Sequence, residues 1–97
     1  MNTEVKALHF TLGEDGKEYI YKKINRIHNA ENMIVDLIIK ISKDGSAFIA
    51  EANVNFKWGV SAHVKEHDFE LTAAIDKLTD KLEAKITKEK EKNQGKH

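Results

Sequence analysis

Ninety-seven residues fit one domain with a modest core, and the absence of cysteine excludes disulfides, thiolate metal sites and cysteine nucleophiles. No apolar run approaches the ~20 residues that cross a bilayer, and residues 1–10 lack the basic-then-apolar order of a secretory signal, so a soluble cytoplasmic protein without membrane partners is expected. The formal charge is zero, 16 Lys and Arg against 16 Asp and Glu, which disfavours a general nucleic-acid binder unless the charges are segregated along the chain.

Residues 5–12 alternate and predict a strand, with Leu8, Phe10 and Leu12 on one face and Ala7, His9 and Thr11 on the other. GEDG at 13–16 is a turn in which Asp15 or Gly16 can cap the next element. Residues 17–28 place Ile20, Ile24 and Ile27 at helical spacing, with Lys17, Lys22, Lys23 and Arg26 on the flanks. Residues 29–32 read as a loop. Residues 33–43 form the strongest strand pattern, with Met33, Val35, Leu37, Ile39 and Ile41 as a continuous apolar face.

Asp44-Gly45 signals a hairpin into a third strand, 47–58, which alternates from Phe48 to Trp58. Phe56 and Trp58 share parity with Ala52 and Val54, so they are read as the edge of the core rather than as base-stacking aromatics. After a tight turn at 57–59, residues 60–65 make a fourth strand with Val60, Ala62 and Val64 on one side. Asp68 is the expected N-cap of a helix running to Lys92. The order is β-α-β-β-β-α. Hairpins make the last three strands a meander, and the helix between the first two implies that they run parallel if adjacent. The expected architecture is one α+β domain over residues 1–92, a four-stranded sheet with both helices on one face, followed by a polar, frayed tail at 93–97. Leu37, Ile39, Phe48, Ala50, Val54, Ile75, Leu78 and Leu82 are the expected core.

The last helix sorts by chemistry at 3.6 residues per turn. Leu71, Ile75, Leu78, Leu82 and Ile86 fall on one side, Lys77, Lys81, Lys85, Lys88 and Lys92 on a flank, and Asp76, Asp80, Glu83 and Glu91 on a third sector. Before Lys77 nine cations face twelve carboxylates, and from Lys77 onward seven face four. A helix that buries one face and aligns ammonium groups beside it suits polyphosphate, although charged helix faces are commonly just solvated. Metal binding is not expected. None of His9, His28, His63, His67 and His97 forms an i,i+4 helical ligand pair, and His63 and His67 lack a third ligand nearby. Asp76 and Asp80 are better read as ion-pair partners than as acid-base carboxylates, and no Gly-rich phosphate loop or Ser/His/Asp constellation stands out.

Several segments in order resemble the short ribosome hibernation factors, the family of the ribosome-associated inhibitor and the hibernation-promoting factor. They are Phe48 to Ala52 (FIAEA), Asp68 with Ala74-Ile75-Asp76, Lys81-Leu82-Glu83, and the first-helix run YIYKKINRI at 19–27. The resemblance spans about residues 5–92 and implies a double-stranded-RNA-binding-domain-like fold. It further implies a protein without catalysis, cofactor or small-molecule substrate, which binds the small ribosomal subunit in the channel of mRNA and tRNA. There it would contact 16S rRNA and block translation under stress. Carried over by position, the first helix supplies Lys17, Lys23 and Arg26, and the last supplies Lys81 and Lys88. This chain departs from the family pattern at Ala84, where arginine is common (Lys85 is adjacent), at Lys77, and at Glu14 in place of a helix-opening proline. With the neighbouring basic positions included, the expected rRNA-binding set is Lys17, Lys22, Lys23, Arg26, Lys77, Lys81, Lys85, Lys88 and Lys92. Lys17, Lys23 and Arg26 are expected on the same side of the domain as Lys81, Lys85 and Lys88, the two helices flanking a common groove. The alternative is a small homo-oligomeric interaction protein, pairing through an edge strand at 5–12 or 60–65. Salt sensitivity of ribosome co-sedimentation separates the two, because phosphate contacts release counterions.

Overall fold

The computed structural model describes residues 1–94. It comprises β1 (Asn2–Leu8), α1 (Glu14–Ile24), a 3-10 helix (Asn25–Met33), β2 (Ile34–Asp44), β3 (Ala47–Phe56), β4 (Ser61–Asp68) and α2 (Leu71–Gln94). The four strands lie in the order β1-β2-β3-β4, with β1 parallel to β2 and the other pairs antiparallel, as the order of elements demands. Positions 93 and 94 of the expected tail are helical; the remainder, 95–97, lies outside the described residues. Among the described residues no helix is long and apolar enough to cross a membrane.

Register explains the core. Thr3, Leu37, Val54 and Ala62 form one row across the sheet, and Val5, Ile39, Ala52 and Val64 the next. On that face the strands meet Ile20 and Ile24 of α1 and Ala74, Ile75, Leu78, Leu82 and Ile86 of α2, all within one buried cluster. Every expected core residue belongs to it, Phe48 as a half-buried member packed edge-on against Phe10. Phe56 is buried and Trp58 stacks on it at 5.0 Å between centroids, so this aromatic pair closes the core. The opposite face carries Glu4, Lys6, Lys40, Glu51, His63 and Lys65 and is open. The architecture is two layers, with both helices on one side of the sheet.

Three expectations about elements are corrected. β1 spans Asn2–Leu8 rather than 5–12, because His9 adopts φ 68°, a left-handed backbone that breaks the alternation. Val5 and Ala7 therefore face the core and Leu8 is exposed, while Phe10 and Leu12 pack inward only after the break. β2 carries a bulge between Ile34 and Asp36 that inserts Val35 without a partner. Ile34 is buried in consequence and Val35 is 43% exposed, the reverse of strict alternation. The third concerns helix ends. α1 begins at Glu14 behind Gly13, and residues 25–33 are a 3-10 helix instead of more α-helix and a loop. Ile24, Ile27, Ala30 and Met33 are spaced by three, which aligns them only at three residues per turn. β4 likewise extends through Asp68, so α2 starts at Leu71, and the Asp68 carboxylate accepts the Glu70 N–H at 3.0 Å rather than standing at the helix N-cap.

Candidate nucleic-acid interface

The lysine flank of α2 runs beside the free edge of β4. In the β3–β4 ladder alternate residues of β4 turn their backbone groups away from β3. Lys65 and His67 belong to this outward set, since their carbonyls accept the Lys81 and Lys77 ammonium groups, each at 3.3 Å. Four helical residues advance about 6 Å and two strand residues about 6.6 Å, so successive lysines meet successive outward residues as the elements run antiparallel. Lys77 also lies 2.9 Å from Asp68, and Lys81 lies 3.5 Å from Glu66. The ion pair raises the Lys77 pKa, while the Glu70 N–H and then Lys77 lower that of Asp68. The first two lysines thus cover an exposed sheet edge, a use of lysine that deters strand addition.

Beyond Lys81 the geometry opens. His63, Val64, Lys81, Ala84, Lys85 and Lys88 line a groove between β4 and α2. Lys85 and Lys88 have no ion-pair partner among the described residues, whereas Lys92 pairs with Glu89 at 3.7 Å. The groove therefore has an apolar floor, an outward strand edge at His63 and two ammonium groups not already neutralised. Such a surface can hold an anionic chain through charge-assisted hydrogen bonds.

The basic side chains of α1 lead elsewhere. Lys23 lies 3.1 Å from Asp76, which also accepts the Tyr19 hydroxyl. Arg26 bridges Asp80 at 3.4 Å and Glu83 at 2.8 Å; its contact with Glu83 Oε1 is an ion pair outside hydrogen-bond geometry. The Tyr19 hydroxyl, opposed by burial and reinforced by Lys23, holds Asp76 below the usual carboxylate range. The same hydrogen bond raises Tyr19, and Asp76 raises Lys23. Asp76, Asp80 and Glu83 are thus ion-pair partners across the α1–α2 seam. Lys17 and Lys22 are exposed on α1.

The expected common groove between the two basic sets is corrected by these contacts. Acidic α2 residues meet α1 on one flank, and the lysines border β4 on the other. Lys81, Lys85 and Lys88 come together; Lys23 and Arg26 do not join them. The sequence reading missed His63 as a groove residue, although its position on the polar side of the fourth strand was visible. Phe69 is 74% exposed just before α2. On the open sheet face Glu51 gathers Lys40 at 3.1 Å, His63 at 3.6 Å and Lys65 at 3.9 Å. Burial works to raise the Glu51 pKa, but Lys40, with smaller help from Lys65 and His63, outweighs it and lowers the value.

Fold and groove define a small α+β protein with a cationic cleft at one edge of its sheet. The family model described as Sigma 54 modulation protein / S30EA ribosomal protein matches residues 3–94, and the chain belongs to that family. A ribosome hibernation promoting factor of Pseudomonas putida is 29% identical over 97 residues, covering 98% of this chain and 92% of that protein. Among solved structures, the Thermus thermophilus Protein Y N-terminal domain aligns with a TM-score of 0.79 at 26% identity, covering 91% of this chain and 98% of that one. A ribosomal subunit interface protein from Coxiella burnetii shares the fold with a TM-score of 0.85 at 22% identity, covering 93% of this chain and 98% of that one.

Proposed function

We propose that this protein is a cytoplasmic ribosome hibernation factor that binds the small ribosomal subunit in the mRNA and tRNA channel, contacts 16S rRNA and blocks translation under stress. The observation that carries the reading is the β4–α2 groove, where Lys85 and Lys88 stand without carboxylate partners beside Lys81 and His63. Family membership and the name of the Pseudomonas putida relative support the ribosome as the polyanion. Lysine is a point charge that reads no base edge well, so affinity comes from phosphates and specificity from the shape of the site. Inhibition is by occupancy, without a chemical step.

The test is co-sedimentation with purified small and large subunits, with mRNA and tRNA as competitors. Stoichiometric binding to the small subunit that mRNA and tRNA displace is the expected result. Binding to the large subunit alone, or binding indifferent to both competitors, overturns the channel assignment.

A further inference from the structure

The two edges of the sheet are finished differently. At β4 the outward carbonyls of Lys65 and His67 are taken by Lys81 and Lys77 of α2. At β1 no helix or side chain supplies equivalent hydrogen bonds among the described residues, and the outward backbone groups of Asn2–Leu8 lie open. An uncovered edge is a template for another strand.

The sequence of β1 says which strand fits. Laid antiparallel against its own copy about Val5, the strand places Glu4 opposite Lys6 of the other copy, Lys6 opposite Glu4, Val5 opposite Val5, and Thr3 opposite Ala7. Both charged pairs then fall on the open face, and the apolar and small residues fall on the core face, as register requires. Within one chain Lys6 lacks a favourable cross-strand neighbour, because the residue beside it on β2 is Lys40, itself bound to Glu51. Glu4 stands beside Ile38. The nearest opposite charge to Lys6 is Glu4 of its own strand, 3.7 Å away. A second copy supplies what β2 does not.

We infer that β1 is a homodimer interface, in which two copies pair antiparallel about a twofold axis at Val5 and join their sheets edge to edge. The interface is isologous, the commonest oligomer symmetry. β1 and β4 are the opposite edges of the sheet, so both β4–α2 grooves remain open in the dimer. Such a dimer does not depend on the ribosomal reading.

Sedimentation velocity over a concentration series tests it, with Glu4→Lys, Lys6→Glu and the double exchange, each checked for folding by circular dichroism. Each single exchange sets like charges opposite twice and should weaken dimerisation by ~10-fold or more, whereas the double exchange restores the complement and should return the dissociation constant to within about threefold. Amide exchange on wild-type protein gives a second reading that needs no variant, since β1 protection should rise with concentration while β4 stays constant. A monomer at all concentrations up to the millimolar range overturns the interface. So does a dimer whose affinity ignores the single exchanges, or concentration-dependent protection at β4.

Discussion

Leu82 lies under the middle of α2, 2% exposed, among the inward residues of the sheet. Leu82→Ala removes this packing and leaves a cavity, so it should cost about 2–5 kcal/mol in urea unfolding; a loss well under about 1 kcal/mol would contradict the packing. A second residue-scale prediction concerns Asp76. Its folded pKa is lowered, chiefly by the Tyr19 hydroxyl and then by Lys23, against the opposing effect of burial. A depressed carboxylate contributes stability that is present above its unfolded pKa, about 3.9, and lost as pH falls through the folded value. Asp76→Asn keeps the shape and removes the titration. The variant should be less stable at neutral pH and lose less stability than the wild type as pH falls below about 4. Equal acid slopes for the two proteins would remove Asp76 from the account.

At the scale of elements, α2 was the most legible part of the chain, because a long 3.6-residue period with its buried stripe at Leu78, Leu82 and Ile86 has no competing reading. The Asp44-Gly45 hairpin was equally legible, since Gly45 takes φ 62°, a conformation that glycine adopts without strain. The Val35 bulge and the His9 break were not. Each reverses the side-chain phase through one backbone residue, and alternation carries no mark of it. The site divides in the same way. The lysine period on α2 could be read, but which flank meets β4 depends on how the helix is set on the sheet. That setting spends Lys77 and Lys81 on strand carbonyls. Their replacement together by Met should change stability by less than about 1 kcal/mol, because exposed positions contribute little. It should nonetheless increase aggregation on heating, measured by light scattering, because the β4 edge loses its cover. An unchanged aggregation temperature would reduce the two hydrogen bonds to incidental contacts.

If the polyanion is the ribosome, as proposed, the whole-molecule question is which cations meet it, since a net charge of zero leaves attraction to local geometry. Lys81, Lys85 and Lys88 share one groove, in which Lys81 is paired with Glu66 and Lys85 and Lys88 have no carboxylate partner among the described residues. Lys23 and Arg26 are held by Asp76, Asp80 and Glu83 on the other flank of α2. A cation already paired releases fewer counterions on binding, because its carboxylate must first be given up. Changing Lys81, Lys85 and Lys88 together to Gln should therefore weaken ribosome binding and flatten its dependence on log salt, by about 0.7–0.9 of slope for each phosphate no longer neutralised. The fold should survive, with about 0.5 kcal/mol or less at the exposed Lys81 and Lys88 and about 1 kcal/mol at most at the half-buried Lys85. Changing Lys23 and Arg26 to Gln should do the opposite, lowering stability by breaking the seam while altering the slope less. Ribosome affinity measured from low to high salt on both variants separates the flanks. A folded triple variant with unchanged affinity and slope would make the α2 lysines a solvated face, and a larger slope change from Lys23 and Arg26 would move the footprint to α1.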